Sequence, residues 1–279
     1  MNYIGITPKG RSTIIKDQAF FTLLDGRLPN DSDSIIDLFK QMDSQIRQQI
    51  EKITSGALSN AHGDWYEWLL AITAWNFFVN HDNCHLALLL PNVNRFKVGM
   101  LYNEELSSLI EDLRQKVLKT SQVRLVTSNP DFVIINGELA RQILGHREVI
   151  QNFTIDTLAA INTYYKMFIG KCNFDQIVGF TSVKTSFRPD RRLQISHEGS
   201  LMKALYTHLQ TRKWIIDPAG LRYYAVATKV GTEDRKGLKT VATHSITTVS
   251  SLPQAAVDEV YEVNTLQQAQ GAFAQMLGV

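Results

Sequence analysis

Acidic and basic side chains suited to phosphate chemistry lie in two segments of the chain. Asp131 follows Pro130 in the segment TSNPDF, and Lys184 and Glu198 both lie in the segment KTSFRPDRRLQISHEGS. Two carboxylates supply the hard oxygen ligands that Mg²⁺ prefers and leave positions for phosphate oxygens. A lysine ammonium beside them can stabilise charge on a phosphoryl group or orient the attacking water. These residue types therefore indicate metal-assisted hydrolysis of a phosphodiester.

A cluster of mixed charge follows the lysine, with Arg188, Asp190, Arg191 and Arg192 close together. Arginine can read guanine O6 and N7 with two hydrogen bonds, and aspartate can accept from cytosine N4 in the major groove. An aspartate would repel a phosphate backbone, so its presence favours base reading by Arg188, Asp190 and Arg191 over simple backbone attraction. The alternative is a surface loop in which Asp190 only pairs with an arginine, an arrangement of little energetic weight.

Each catalytic candidate also has a purely structural interpretation. Asp131 after a proline is typical of a turn or cap, Glu198 near a helix start can face the helix dipole, and Lys184 at a strand end can be a surface lysine. Their occurrence together, beside the arginine cluster, favours the catalytic interpretation.

Apolar periodicity predicts the elements that must position these residues. Helices are predicted over 32–53, 64–78, 103–119, 154–169, 200–210 and 253–263, the last with Pro253 in its first turn. Strands are predicted over 85–90, 123–126, 132–135, 177–183 and 221–228. This alternation predicts an α/β fold with a mixed central β-sheet flanked by helices on both faces. We expect one domain over 1–279, with an N-terminal helical part to about residue 80 and a catalytic core beyond it.

Composition and charge limit the classes of function. The chain has 279 residues, and its hydrophobic share of 44% predicts a packed core. The formal net charge is only +2, which excludes broad electrostatic attachment to nucleic acid but allows a local basic site. Cys84 and Cys172 lack any zinc-binding spacing and are expected to be buried, reduced thiols. The sequence starts without a signal-peptide pattern and contains no apolar run near the roughly 20 residues of a membrane helix, so the expected location is the cytoplasm.

The acidic and basic residues resemble the PD-(D/E)xK nuclease core, in which one strand carries Pro-Asp and a later strand ends in Lys. In the common form of that core an acidic residue lies two positions before the lysine, where this chain has Ser182. The form found in type II restriction endonucleases for CCGG-centred sites supplies that carboxylate from the following helix, and Glu198 occupies the corresponding place. The resemblance thus implies Asp131 and Glu198 as Mg²⁺ ligands, and Lys184 as the residue that orients or polarises the hydrolytic water and the scissile phosphate.

Further matching segments extend from about residue 63 to residue 261. GDWYEW resembles the family's N-terminal catalytic-helix segment, which implies that Glu67 assists the metal site. The alternative is that this glutamate, in an aromatic helix, does no more than complete a hydrogen-bond network. HEGSLMKALYTHLQTRKW and LKTVATHSIT resemble the subgroup that cuts purine-CCGG-pyrimidine. In that subgroup a tryptophan at the position of Trp214 lies at the contact between two dimers; ordinary core is the alternative for this residue.

The resemblance implies a Mg²⁺-dependent type II restriction endonuclease that cuts both strands of double-stranded DNA after the first base of purine-CCGG-pyrimidine, leaving four-base 5′ overhangs. A palindromic site implies at least a homodimer, and the subgroup implies a homotetramer built as a dimer of dimers. No nucleotide cofactor and no membrane partner are expected. Two other functions stay open: a repair or junction nuclease on the same core, and a DNA-binding protein whose acidic pair is structural.

Overall fold

The computed structural model describes residues 3–7, 10, 12–50, 53–93, 95–122, 125, 129–246 and 253–278. Within these ranges two short N-terminal strands, β1 (Ile4–Ile6) and β2 (Ser12–Ile14), pair antiparallel beside the helices of the N-terminal part. The sequence did not predict this pair, because three-residue strands give too little alternation to be recognised.

A five-stranded sheet forms the centre of the described structure. Its strands, in spatial order, are β3 (Leu86–Leu89), β4 (Phe132–Ile135), β5 (Ile177–Lys184), β6 (Arg222–Ala227) and β7 (Glu259–Glu262). β4 pairs antiparallel with both β3 and β5, whereas β5, β6 and β7 run parallel. The runs LALL and FVII are buried along their whole length, as expected for strands covered on both faces.

Helices fill the intervals between the strands. In the described residues they are α1 (Lys16–Leu23), α2 (Ile35–Gln49), α3 (Ser55–Asn80), α4 (Glu104–Ser121), α5 (Gly137–Leu144), α6 (Ile155–Ile161), α7 (Pro189–Arg212), α8 (Thr232–Leu238) and α9 (Leu266–Leu277). None of these helices combines the length and the apolar character needed to cross a bilayer.

The helices cover both faces of the central sheet. Thr181 of β5 contacts Met276 of α9 on one face, and α3 packs against α9 and β3. Tyr223 of β6 is opposite Phe180 in the register, so its side chain lies on the other face, against α7. A Cβ at Gly199 of α7 would collide with a backbone carbonyl and lie 3.0 Å from the Tyr223 ring, so only glycine permits this packing. The predicted mixed sheet with helices on both faces is confirmed.

α3 is the long buried helix that leads into the sheet. It starts at Ser55, after the cap residue Thr54, and therefore extends beyond both ends of the predicted range 64–78. Its aromatic residues are anchored by hydrogen bonds: the Tyr66 hydroxyl donates to the Val263 carbonyl at 2.7 Å, and Trp65 Nε1 donates to the Lys16 carbonyl at 2.9 Å. These bonds fix the rotation of α3 and hence the direction of Glu67.

Two predicted elements differ from the structure. Residues 253–263, predicted as a helix, contain β7 instead, because Val260 alternates with more exposed neighbours in EVYE and the segment pairs parallel with β6. The helix of this region is α9, which starts after the cap residue Thr265. The predicted helix over 154–169 ends at Ile161 and is followed by a tighter helical turn over 164–168.

The start of α7 also differs from the prediction. The helix was predicted over 200–210, yet it begins at Pro189, so RPDRR forms its first turn rather than a preceding loop. Proline suits this first position because its missing N–H would have no intrahelical partner there. The predicted strand over 123–126 lies largely outside the described residues.

Candidate active site

Asp131 lies directly before β4 and points toward the end of β5. Its Oδ2 accepts hydrogen bonds from Lys184 Nζ at 2.7 Å, from the Val183 backbone N–H at 2.6 Å and from Ser182 Oγ at 3.2 Å. All three donors contact the same oxygen, and no donor from the described part of the chain contacts Oδ1. The carboxylate is thus held firmly through one oxygen, and the other is open to a cation.

Lys184 is the last residue of β5 and forms a partly buried ion pair with Asp131. Burial acts to lower the pKa of Lys184, but the carboxylates of Asp131, Glu67 and Glu198 outweigh it, and the net pKa lies above the ordinary value. The ammonium therefore stays charged. Asp131, Glu67 and Glu198 are thus the acidic groups that surround the ammonium.

Glu67 belongs to α3 and lines the same cleft as the ion pair of Asp131 and Lys184. Burial, reinforced by the negative charge of Asp131 and opposed by the positive charge of Lys184, raises the pKa of Glu67 to about 8. The raised pKa means that the ionised form of Glu67 is unfavourable here, because burial and the nearby Asp131 charge both oppose a further negative charge. The site therefore contains more acidic groups than its one lysine neutralises.

Glu198 lies in the third turn of α7 and is only 3% exposed. Tyr223 donates from its hydroxyl to Oε2 at 2.9 Å, and Gln194 Nε2 donates to Oε1 at 2.9 Å. Burial, followed by the Glu198 charge, raises the pKa of Tyr223 far above its ordinary value, so the phenol remains a donor. Tyr223 shares a sheet face with Ser182, which occupies the position of the acidic residue in the common nuclease core.

The donor set fits a hard divalent cation. The candidate ligands are carboxylate oxygens from three different elements, α3, the start of β4, and α7. No three acidic, histidine or cysteine side chains in the described ranges are already grouped closely enough to hold a metal ion by themselves. Mg²⁺ does not need such a cage, because it is usually held by one or two carboxylates together with water and substrate phosphate. The excess of negative charge around Lys184 is consistent with a cation that arrives with DNA.

An open cleft of about 430 Å³ connects the acidic group with the arginine cluster. Asp131, Glu67 and Lys184 line it together with Arg188 and Arg191. Its remaining walls are mostly small and polar: Ser59, Asn60, Gly63, Asp64, Tyr66, Asn92, Val183, Thr185 and Ser186. Glu198 and Asp190 do not line the cleft in this conformation.

The arginine cluster forms the exposed start of α7. Arg188 is the cap residue, and its Nη2 donates to Asp190 Oδ2 at 3.3 Å; Arg191 Nε lies 3.9 Å from the same oxygen. Such exposed ion pairs are weak, so these side chains can exchange partners at low cost. Arg192 differs, because it pairs with Asp234 of α8 at 3.3 Å and does not line the cleft.

Trp214 lies just beyond the end of α7, and its side chain is on the surface. It has a left-handed backbone conformation (φ 53°) and is 88% exposed, and the nearby Ile216 is 96% exposed. The alternative that Trp214 is ordinary core is wrong. Cys84 and Cys172 are buried free thiols, as expected.

Comparison with known proteins identifies the family. A family model described as Cfr10I/Bse634I restriction endonuclease matches residues 17–278. The chain belongs to this family. It is 48% identical over 235 residues to the type II restriction enzyme Cfr10I of Citrobacter freundii, a match that covers 81% of this chain and 80% of that protein.

Solved structures agree with this Cfr10I/Bse634I assignment. The crystal structure of the type IIF restriction endonuclease Bse634I with cognate DNA matches with a TM-score of 0.89 and 31% identity, covering 99% of this chain and 97% of that one. A second Bse634I structure matches with a TM-score of 0.87 and 31% identity, covering 98% and 97%. The predicted family and enzyme class, a type II restriction endonuclease, are confirmed. This assignment favours neither a junction nuclease nor a non-catalytic DNA-binding protein.

Two residues that contact Glu198 were missed by sequence analysis of this Cfr10I/Bse634I family member. Gln194 lies four residues before Glu198, a spacing that joins side chains on one helix face, and it would have been recognised had α7 been started at Pro189. Tyr223 gives no such signal, because its contact with Glu198 depends on the register between β5 and β6 and on the packing of α7 over the sheet.

Proposed function

We propose that the protein cuts both strands of double-stranded DNA at purine-CCGG-pyrimidine, in a reaction that requires Mg²⁺, after the first base and with 5′ CCGG overhangs. The observation that carries this proposal is the shared cleft, which is lined by Asp131, Glu67 and Lys184 and also by Arg188 and Arg191. Groups suited to phosphodiester hydrolysis and groups suited to guanine reading thus face the same space.

Asp131 and Glu198 are the proposed metal ligands, with Glu67 in a supporting position. When bound there, the cation would supply Lewis-acid polarisation of the scissile phosphate and of water. The chain's own residues prepare the site. Val183 N–H and Ser182 Oγ hold one oxygen of Asp131 in place, and both oxygens of Glu198 are held by neighbouring donors.

Lys184 is proposed to stabilise charge on the phosphate and to orient the water. Its ammonium is fixed by Asp131 at 2.7 Å and remains protonated because acidic groups surround it. A fixed, partly desolvated charge acts on a developing phosphoryl charge more strongly than a mobile one in water, since no reorganisation is needed when the reaction occurs.

Arg188, Asp190 and Arg191 are proposed to read the inner G·C pairs. Arg188 and Asp190 are exposed, Arg191 is half-exposed, and all three lie in or next to the first turn of α7. Their mutual ion pairs cost little to break, so DNA bases can replace them. Each arginine can then donate two hydrogen bonds to one guanine, and Asp190 can accept from a cytosine amine.

A two-fold symmetric DNA site favours a homodimer, and we propose that two dimers associate as a homotetramer through Trp214. The exposed pair of Trp214 and Ile216 supports a protein contact at the end of α7, because exposed apolar patches mark interaction sites and tryptophan is enriched at interfaces.

A digest of DNA of known sequence tests the proposal. The protein is incubated with the DNA in Mg²⁺ and, in parallel, in the presence of a chelator, and the fragment ends are sequenced. We expect discrete fragments in Mg²⁺ only, each beginning with a 5′ CCGG overhang derived from purine-CCGG-pyrimidine. Ends at another sequence, random ends, or equal cleavage with the chelator would contradict the proposal.

A further inference from the structure

One face of α7 carries a continuous series of hydrogen bonds from the cleft to the buried Glu198. Arg191 Nη1 donates to Gln194 Oε1 at 2.9 Å, and Gln194 Nε2 donates to Glu198 Oε1 at 2.9 Å. The residues are separated by three and then four positions, the spacing that brings side chains together along a helix. Arg191 lines the cleft, whereas Glu198 is buried behind it. This series is a direct polar connection between the cleft and the buried Glu198.

The connection has a direction that depends on how the Gln194 amide is turned. An amide has a carbonyl that only accepts and an NH₂ group that only donates. Because Arg191 can only donate, it requires the carbonyl on its side, which leaves the NH₂ facing Glu198. A flipped amide would put an oxygen against the carboxylate and lose both bonds. Arg191 therefore sets the orientation in which Gln194 can hold Glu198.

Arg191 has enough donors to maintain this bond while it contacts DNA. A guanidinium carries five N–H donors, and a guanine needs two of them for O6 and N7. A base contact would fix an arginine that is otherwise half-exposed and weakly paired with Asp190. Fixing Arg191 fixes the amide of Gln194, and through it one oxygen of Glu198.

We propose that Gln194 is a positioning residue that couples base recognition by Arg191 to the orientation of Glu198 for metal binding. This inference rests on the proposed function, in which Arg191 reads a base and Glu198 binds the cation. On DNA with a changed base, Arg191 would lack its partner, Gln194 would lose its fixed orientation, and Glu198 would bind the cation less well. Selectivity would then be greater in cleavage than in binding.

The first test measures cation binding directly. Gln194→Leu keeps a similar volume and removes both hydrogen bonds. Because Gln194 is exposed, we expect the variant to fold normally. Ca²⁺ is titrated by calorimetry into the protein bound to an uncleaved cognate duplex. We expect Gln194→Leu to weaken Ca²⁺ binding by about 10- to 100-fold, the usual effect of losing a residue that orients a metal ligand. The matched control is His197→Ala, an exposed change next to Glu198 but outside the series, which should leave the affinity unchanged.

The second test asks whether Arg191 acts through Gln194. Ca²⁺ affinity is measured for Arg191→Ala, Gln194→Leu and the double variant, at protein concentrations that saturate the duplex. In a coupled series the second substitution adds little to the first, whereas independent residues give additive losses. Affinity for cognate DNA without divalent cation should fall for Arg191→Ala and stay close to wild type for Gln194→Leu.

The third test compares single-turnover cleavage of the cognate duplex with that of a duplex changed at one inner base pair. Gln194→Leu should reduce the ratio of the two rates while leaving the ratio of the two DNA affinities as in wild type. Wild-type Ca²⁺ affinity in Gln194→Leu, or additive losses in the double variant, would overturn the coupling while leaving the proposed function intact. Failure of the wild-type protein to cut the cognate duplex would overturn both.

Discussion

Lys184 Nζ and Asp131 Oδ2 lie 2.7 Å apart, where the end of β5 meets the start of β4. The antiparallel pairing of these strands brings together two residues that are 53 positions apart in the chain. The ion pair is partly buried, and both partners line the cleft. It therefore places a positive and a negative charge side by side in the wall of the cleft.

Lys184→Ala should abolish most cleavage while leaving the proposed DNA contacts of α7 in place. Asp131 would keep its bonds from Val183 N–H and Ser182 Oγ, so the fold of the strand ends should persist. By analogy with the loss of a single preorganised donor, we expect single-turnover cleavage to fall by about 10²- to 10³-fold. Specific binding to the cognate duplex in Ca²⁺ should be retained, as measured by gel shift. Lys239→Ala, which removes a lysine paired with Glu259, is the control and should cut normally. Unchanged cleavage by Lys184→Ala would refute the assignment.

Arg188→Ala should reduce discrimination at one base pair of the site. Arg188 is exposed, lines the cleft and pairs only weakly with Asp190, so its removal should cost little stability. We expect a loss of about 1–3 kcal/mol in discrimination, measured as the ratio of affinities for the cognate duplex and for duplexes changed at single positions. Arg192→Ala is the matched control, because Arg192 pairs with Asp234 and does not line the cleft. Equal weakening on all sequences would indicate a phosphate contact instead.

Glu67→Gln should make the stability of the cation-free protein less sensitive to a rise in pH between about 4.5 and 8. The pKa of Glu67 is raised from 4.5 to about 8, first by burial and then by Asp131. Between these two values the unfolded chain loses the Glu67 proton and the folded protein keeps it, so rising pH favours unfolding. The effect has an upper bound of about 1.4 kcal/mol per pH unit within this window. In the glutamine variant it is absent.

The measurement is thermal unfolding of wild type and Glu67→Gln with a chelator, at several pH values between about 5 and 9. The Tm of the variant minus that of the wild type should increase as pH rises and level off above pH 8. Glu138→Gln, a change at an exposed position in the first turn of α5, controls for the loss of a carboxylate in general. A Tm difference that does not depend on pH would show that Glu67 ionises normally.

Trp214→Ala should change the oligomeric state with little effect on the folded protomer. The side chain is 88% exposed, so its removal leaves no cavity in the core. If it joins two dimers, light scattering at micromolar concentration should give a tetramer for wild type and a dimer for the variant. Leu193→Ala, at an exposed apolar residue within α7, should remain tetrameric. An unchanged mass for Trp214→Ala would rule out the proposed contact.

The sequence predicted those parts of the site that depend on local pattern. Asp131 after Pro130 and Lys184 after an apolar run were recognised because strand ends have a local signature, and β4 was predicted with its observed bounds. The family resemblance supplied Glu198 and Glu67, since the generic pattern expects an acidic residue where Ser182 stands. Long-range pairing gives no local signal, and for this reason the donor role of Tyr223 could not be predicted.

The errors have physical causes as well. The first turns of α7 are polar on nearly every face, so apolar periodicity starts only after the true beginning at Pro189. In the segment 253–263 the proline was taken as a helix start, whereas tertiary pairing with β6 makes EVYE a strand. Local propensity is weak enough for such pairing to override it.

Tyr223→Phe should impair cleavage by releasing one oxygen of the buried Glu198. The hydroxyl donates to Oε2 at 2.9 Å, and removing it leaves a buried carboxylate with one donor fewer. We expect a stability loss of about 1–3 kcal/mol and a rise in the Mg²⁺ concentration needed for half-maximal cleavage by about 10- to 100-fold. The control is Tyr224→Phe, the next residue of β6, whose side chain lies on the opposite face of the sheet. Denaturant titration measures the first effect and single-turnover cleavage at varied Mg²⁺ the second. If both variants required the same Mg²⁺ concentration, the bond from Tyr223 would have no part in preparing Glu198 for the cation.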